Sequence, residues 1–217
     1  MSLRDRLQRR VVPRLVVRLS TVHAPARMAA AVRRALGGTG SVRLFVAFDD
    51  PYSAVAVLGL AERLSGRRAQ LLIEPVVARG IPGDPAVEAK RRYAVVDSAR
   101  LARRDGLELS RTESVSAEQT AFLAERAAAI PQGPERAEFC AAAMRRLWLQ
   151  TSGPVTAVEY DDLAVDQSDV DGSERAMKRA KLYDTPVAVV AGQWFFAHER
   201  LDQVAERLDQ LGWRAGA

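Results

Sequence analysis

The chain has 217 residues, 48% hydrophobic and 27% charged, which suits one globular domain or one domain carrying an insertion. No apolar run approaches the roughly 18 residues of a membrane span, and the single cysteine, Cys140, excludes a disulfide framework, a CxxC redox centre and a cysteine-rich zinc site. The net charge of +5 is unevenly placed: residues 1–40 hold nine arginines against one aspartate, a net of +8, while the other 177 residues hold 23 basic and 26 acidic side chains, a net of −3. The basic character therefore belongs to an N-terminal arm, and the body has no charge surplus that would call for nucleic acid.

In the arm, Leu3, Leu7, Val11, Leu15 and Leu19 recur every four residues beside Arg6, Arg10, Arg14 and Arg18. On a helix this spacing gives one apolar stripe and one basic ridge, which Pro13 kinks or divides. Such a helix packs on the body or on a second subunit; an anionic membrane surface or nucleic acid is the alternative partner. The arm has no aromatic residue to stack on bases or to anchor at a lipid interface. Arg9-Arg10 is not followed by the uninterrupted apolar stretch of an export signal, because Arg14 and Arg18 break it. The cytoplasm is the expected compartment. Gly37-Gly38-Thr39-Gly40 then reads as a linker.

The body opens with a β-rich apolar run at 41–48, followed by helical periodicity at 51–65 (Val55, Leu58, Leu60, Leu64) and a second strand at 69–77. This is a βαβ unit with parallel strands. From 84 to 150 the pattern is helical: Asp84-Pro85 predicts an N-cap followed by proline, and Ser116-x-x-Gln119 has capping-box spacing. Phe139, Ala143 and Leu147 share a helix face with Cys140 and Met144, so Cys140 reads as core. An acidic, turn-rich stretch at 161–172 precedes a basic helix over 173–183. PVAVV and QWFFA, joined by Ala191-Gly192, predict a tight hairpin, and a last helix covers 198–211. The order βαβ, helices, ββα is that of a thioredoxin-like α/β fold with an inserted all-helical domain. Residues 41–80 and 173–214 would form its two halves, 81–172 the insertion and 1–40 the basic helical arm.

The segment FDDPYSAVAVL at the first strand–helix junction resembles that of the 2-hydroxychromene-2-carboxylate isomerases and kappa-class glutathione transferases, where the pattern is Ser-Pro-Tyr-Ser; the DsbA oxidoreductases are more distant relatives. AKRRYAVVDSARLARRDGLEL at 89–109 and DTPVAVVAGQWFFAHERLDQVAERL at 184–208 are similar to two further stretches of that family. The resemblance spans roughly 41–212 and implies a homodimeric, glutathione-dependent isomerase or transferase acting on a hydrophobic or aromatic carboxylate. A dithiol oxidoreductase is excluded by the lone cysteine.

The family serine that would steady a glutathione thiolate falls on Asp50. An ionised carboxylate is acceptor-only and repels a thiolate, so Asp50 is either a general acid or base or simply the helix N-cap. Ser53 and Tyr52 then remain as hydroxyl donors to sulfur. Thr185-Pro186 falls where the fold places a cis-proline beside the ligand, the alternative being an ordinary trans-proline opening a strand. His198, Glu199 and Arg200 align with the segment that grips the ends of glutathione, although Glu199 also suits any helix start. Lys90 and Tyr93, with Arg91 and Arg92, are candidates to hold an anionic substrate, or form a solvated face. No metal site is expected. The alternative function is a non-catalytic thioredoxin-fold binding protein whose basic arm recruits a partner.

Overall fold

The computed structural model describes residues 24–150 and 169–214. The apolar repeat of residues 3–19 with Pro13, and most of the acidic stretch at 161–172, lie outside the described residues. Helix α1 spans Ala24–Ala35 and leads into strand β1 at Gly40–Val46, helix α2 at Pro51–Leu64 and strand β2 at Ala69–Pro75. Helices α3 (Val87–Arg104), α4 (Ala117–Ala129) and α5 (Pro134–Met144) follow, α5 running on as a π-helical turn at Arg145–Leu149. Helix α6 (Val170–Arg179), strands β3 (Val187–Val190) and β4 (Gln193–Phe196), a 3₁₀ turn at Ala197–Glu199 and helix α7 (Leu201–Gln210) complete the described fold.

The four strands form one sheet in the order β2-β1-β3-β4. β1 pairs in parallel with β2 from Gly40↔Ala69 to Val46↔Pro75, and antiparallel with β3 through Leu44↔Ala188. Gly40, expected in a linker, is thus the first residue of the central strand. The β3–β4 hairpin turns on Ala191 and Gly192, both with positive φ (47° and 81°). That combination matches the right-handed twist of the flanking strands and makes glycine favourable at the second position.

The alternation of β1 divides the core. Val42, Leu44 and Val46 face a large cluster that includes Val55, Leu60, Leu123, Leu147, Trp148, Val204 and Leu208. Phe45 and Ala47 face the opposite side, where they meet Ala176, Met177 and Leu182. Helices α2, α4, α5 and α7 therefore contribute to one face of the sheet and α6 to the other. Cys140 is fully buried, and burial pushes its thiol up to about 12, as befits a core residue.

Three expected boundaries move for identifiable reasons. Asp84 does not cap α3: its Oδ1 accepts from the Ala86 amide at 2.9 Å and its Oδ2 pairs with Lys90 at 2.5 Å, and the helix starts later, at Val87. Proline at 85 disfavours a helical residue before it, and a short Asp side chain closes a turn readily. The basic helix begins three residues earlier than 173, because Asp169 caps it through the Gly172 amide at 2.8 Å, and it ends before Lys181, whose φ is 57°. The final helix is interrupted: the 3₁₀ turn stops at Arg200 (φ −124°) before α7 starts. Ser116 does cap α4, accepting from the Gln119 amide at 3.1 Å.

Candidate active-site cleft

The chain leaves the sheet at the C-terminal end of β1 and turns into α2 through Asp49 and Asp50. Asp50 is the N-cap: its backbone is extended and its Oδ1 accepts from the Tyr52 amide at 3.2 Å, with Pro51 opening the helix. The same side chain is also tied to the far half of the fold. Its Oδ2 accepts from Ser53 Oγ at 2.7 Å and from Thr185 Oγ1 at 2.9 Å. The Thr185–Pro186 peptide bond is cis. Asp50 is only 2% exposed, and this burial raises its carboxyl from 3.8 to about 6, against the opposing pull of the Arg79 charge and the two hydroxyl donors.

A cleft of about 140 Å³ opens beside Asp50. Arg79, Lys90 and Arg91 line it together with Asp49, Asp50 and Asp184, and Val87, Val95, Val115 and Trp148 add apolar surface. Arg79 is held by Asp49 at 3.2 Å and Asp184 at 3.6 Å; burial lowers its pKa, but the charges of Asp50, Asp49 and Asp184 outweigh this and raise it. Trp148 is fully buried and donates its indole N–H to the Phe48 carbonyl at 3.1 Å, which ties this part of the lining to the end of β1. A groove of about 820 Å³ lies elsewhere, between α1 and α7. It lacks a buried acid at a helix start, so the smaller cleft is the better candidate for chemistry.

The expected residues divide sharply. Asp50, Tyr52, Thr185 and Lys90 line the cleft. Ser53 does not: it is fully buried, donating to Asp50 and accepting from the Ala47 amide at 3.2 Å, so its hydroxyl is not offered to a ligand. Pro186 is buried, and its carbonyl accepts from the Ala197 amide at 3.0 Å. Tyr52 donates its hydroxyl to Asp97 at 2.9 Å, and burial together with that carboxylate raises its pKa. His198 lies against the Tyr52 ring, centroids 4.3 Å apart, with Nδ1 buried and unbonded; burial lowers its pKa, which favours neutral imidazole. Glu199 and Arg200 are exposed beyond the cleft lining, and Tyr93, 59% exposed, also lies outside it. Arg79, Asp97 and Trp148 were not singled out by the sequence. Only the chemistry-bearing Arg79, in a short loop after β2, had a local signal to find.

This donor set does not fit a glutathione thiolate. The group at the helix N-terminus is a hydrogen-bond acceptor that carries negative charge when ionised, Ser53 is turned inward, and the Thr185 amide donates to Asp184 at 2.9 Å. Among the described residues, no three His, Cys, Asp or Glu side chains gather as metal ligands would.

No family model and no curated protein sequence matches the chain. Among solved structures it is similar to a 2-hydroxychromene-2-carboxylate isomerase, with a TM-score of 0.59 at 16% identity, over 79% of this chain and 96% of that one. The fold is thus the thioredoxin-like α/β fold of that isomerase.

Proposed function

We propose that the protein is an isomerase acting by proton transfer on a hydrophobic carboxylate, with Asp50 as the general base and acid. One observation carries this: a buried carboxyl whose pKa stands at about 6, in a cleft whose lining combines apolar side chains with Arg79, Lys90 and Arg91. A group titrating near the working pH exists in both protonation states and can take and return a proton efficiently. Asp50 removes a proton from the carbon next to the ligand's carbonyl, and the electron pair moves onto that oxygen as an enolate. The carboxylic acid so formed returns the proton to a different carbon, so no electrons or atoms are lost. The apolar body of the ligand rests on Val95, Val115 and Trp148, and Lys90 and Arg91 at the rim meet its carboxylate. Arg79, held by Asp49 and Asp184, supplies fixed positive charge beside the developing enolate. The likeness in fold to an isomerase of an aromatic carboxylate supports the reaction class.

Incorporation of deuterium from solvent into apolar 2-oxo and β,γ-unsaturated carboxylates, followed by NMR, tests the proposal. Exchange is expected, with a rate that rises with pH through about 6 as Asp50 ionises. Asp50→Asn should lower it by about 10²–10⁴-fold, the usual contribution of a positioned base. Absence of exchange across the panel, or full activity in the variant, overturns it, as does turnover that requires glutathione. A binding protein without turnover is the second reading, favoured by the hydrogen bonds that both oxygens of Asp50 already receive within the chain. It predicts saturable stabilisation by the same carboxylates with no exchange.

A further inference from the structure

Helix α1 has two unlike faces. Ala30 is buried in the core and Ala26 packs against it. Arg34 donates to the Leu211 carbonyl and lies over the Trp213 ring at 5.5 Å, so this inner face is moored to the C-terminal segment. On the opposite side Met28, Val32 and Leu36 follow each other at intervals of four and are 70%, 60% and 82% exposed. Leu36 lies just past the helix but continues its pattern, its amide donating to the Val32 carbonyl at 3.0 Å. A helical period puts these three side chains in one stripe, with Arg27 on one flank and Arg33 on the other. Both arginines are exposed. No acidic residue stands in the helix, and residues 1–40 hold a single aspartate against nine arginines.

We infer that α1 is a membrane-surface element, which lays the Met28–Val32–Leu36 stripe among the acyl chains of an anionic lipid surface while Arg27 and Arg33 meet the headgroups. An exposed apolar stripe on a helix that carries arginines and no acid is the pattern of a helix that lies in an interface plane. Each arginine near an anionic leaflet contributes about 1 kcal/mol of attraction, and the apolar stripe adds area that water would otherwise cover. No described helix is long and apolar enough to cross a membrane, which limits α1 to lying on the surface. Charge decides against the other occupants. Stripe-to-stripe pairing of two copies would bring together two helices that each carry arginines and no acid to offset them, and nucleic acid would satisfy the arginines but leave the stripe in water. In sequence, residues 3–19 carry the same mixture of apolar residues and arginines.

The full chain is sedimented with vesicles of phosphatidylcholine alone and with vesicles containing phosphatidylglycerol. Binding is expected to the anionic vesicles only and should weaken with added salt. Combined substitution of Met28→Ser, Val32→Ser and Leu36→Ser should reduce it at least tenfold while the thermal melt stays unchanged, since all three side chains are exposed. A second variant, Arg27→Gln with Arg33→Gln, should reduce it and flatten the salt dependence. The inference is overturned by no sedimentation with anionic vesicles, by equal sedimentation with neutral ones, or by binding that survives the triple substitution. Uptake onto duplex DNA without vesicle binding, or a dimer that the triple variant dissociates without vesicle binding, overturns it equally.

Discussion

Asp50 joins two requirements that usually conflict. As an N-cap it should be ionised, accepting from the Tyr52 amide beside the positive end of α2. As a residue 2% exposed it is driven toward the neutral acid, and burial wins, leaving the carboxyl at about 6. Stability must respond to this. In the unfolded chain the carboxyl titrates near 3.8 and in the fold near 6, so the fold binds the proton more tightly. This group therefore stabilises the fold most below about pH 4, and the contribution falls by about 3 kcal/mol as pH rises through 6. Asp50→Asn has no proton to lose, so the difference in thermal stability between the two proteins should shift toward the variant as pH rises from 4 to 7. Melts across that range check it; a constant difference would mean that Asp50 stays ionised throughout.

At the scale of elements, the cleft depends on a junction that no local pattern announces. The π-helical turn at Arg145–Leu149 rotates Trp148 under the end of β1, where its indole donates to the Phe48 carbonyl and its own carbonyl accepts from the Ser110 amide at 2.8 Å. Trp148→Phe keeps most of the apolar volume but leaves a buried carbonyl unsatisfied. It should cost about 1–3 kcal/mol, read as a lower urea midpoint at unchanged slope. Legibility in the sequence follows the same division. The strands of the βαβ unit, the hairpin, the cap at Ser116 and the placement of Asp50 before Pro51 are local signals, whereas the pairing of β1 with β3 that joins the two halves is not. Asp84 misleads because an Asx turn and an N-cap share one residue pattern, and proline decides between them only in three dimensions. Tyr52 and Asp97 meet across 45 positions, Trp148 and Phe48 across 100. Such contacts arise when helices pack on the sheet, and periodicity carries no trace of them. Ser53 shows the reverse error: its place in the motif suggests a ligand contact, whereas the first turn of α2 points its hydroxyl back at the cap.

For the whole molecule, the two ends of β1 do different work. Its C-terminal end opens into the cleft, and its N-terminal end is closed by the C-terminal segment of the chain. Trp213, 3% exposed, covers Gly40 so closely that a Cβ there would stand 2.7 Å from the indole Cγ. Trp213 also sits beneath Arg34 of α1, and Asp209 of α7 pairs with Arg67 at 3.2 Å, so the start of the sheet, α1 and the chain's end share one seal. Trp213→Ala removes the side chain around which these segments meet and should destabilise the protein by about 3–5 kcal/mol, the range for a large buried aromatic. The seven residues of β1 carry this site about 20 Å from Asp50. Sites so far apart, without shared partners, combine additively. Well below its lowered melting temperature, the Trp213→Ala protein should therefore keep the Asp50 pH dependence unchanged, whereas its α1 amides should exchange hydrogen faster than those of α2. Hydrogen-exchange mass spectrometry read segment by segment distinguishes this from a general loosening. Uniform acceleration through α2 and β1 would show that the seal and the cleft are one cooperative unit, and that the arm-side end of the sheet cannot open without the cleft end.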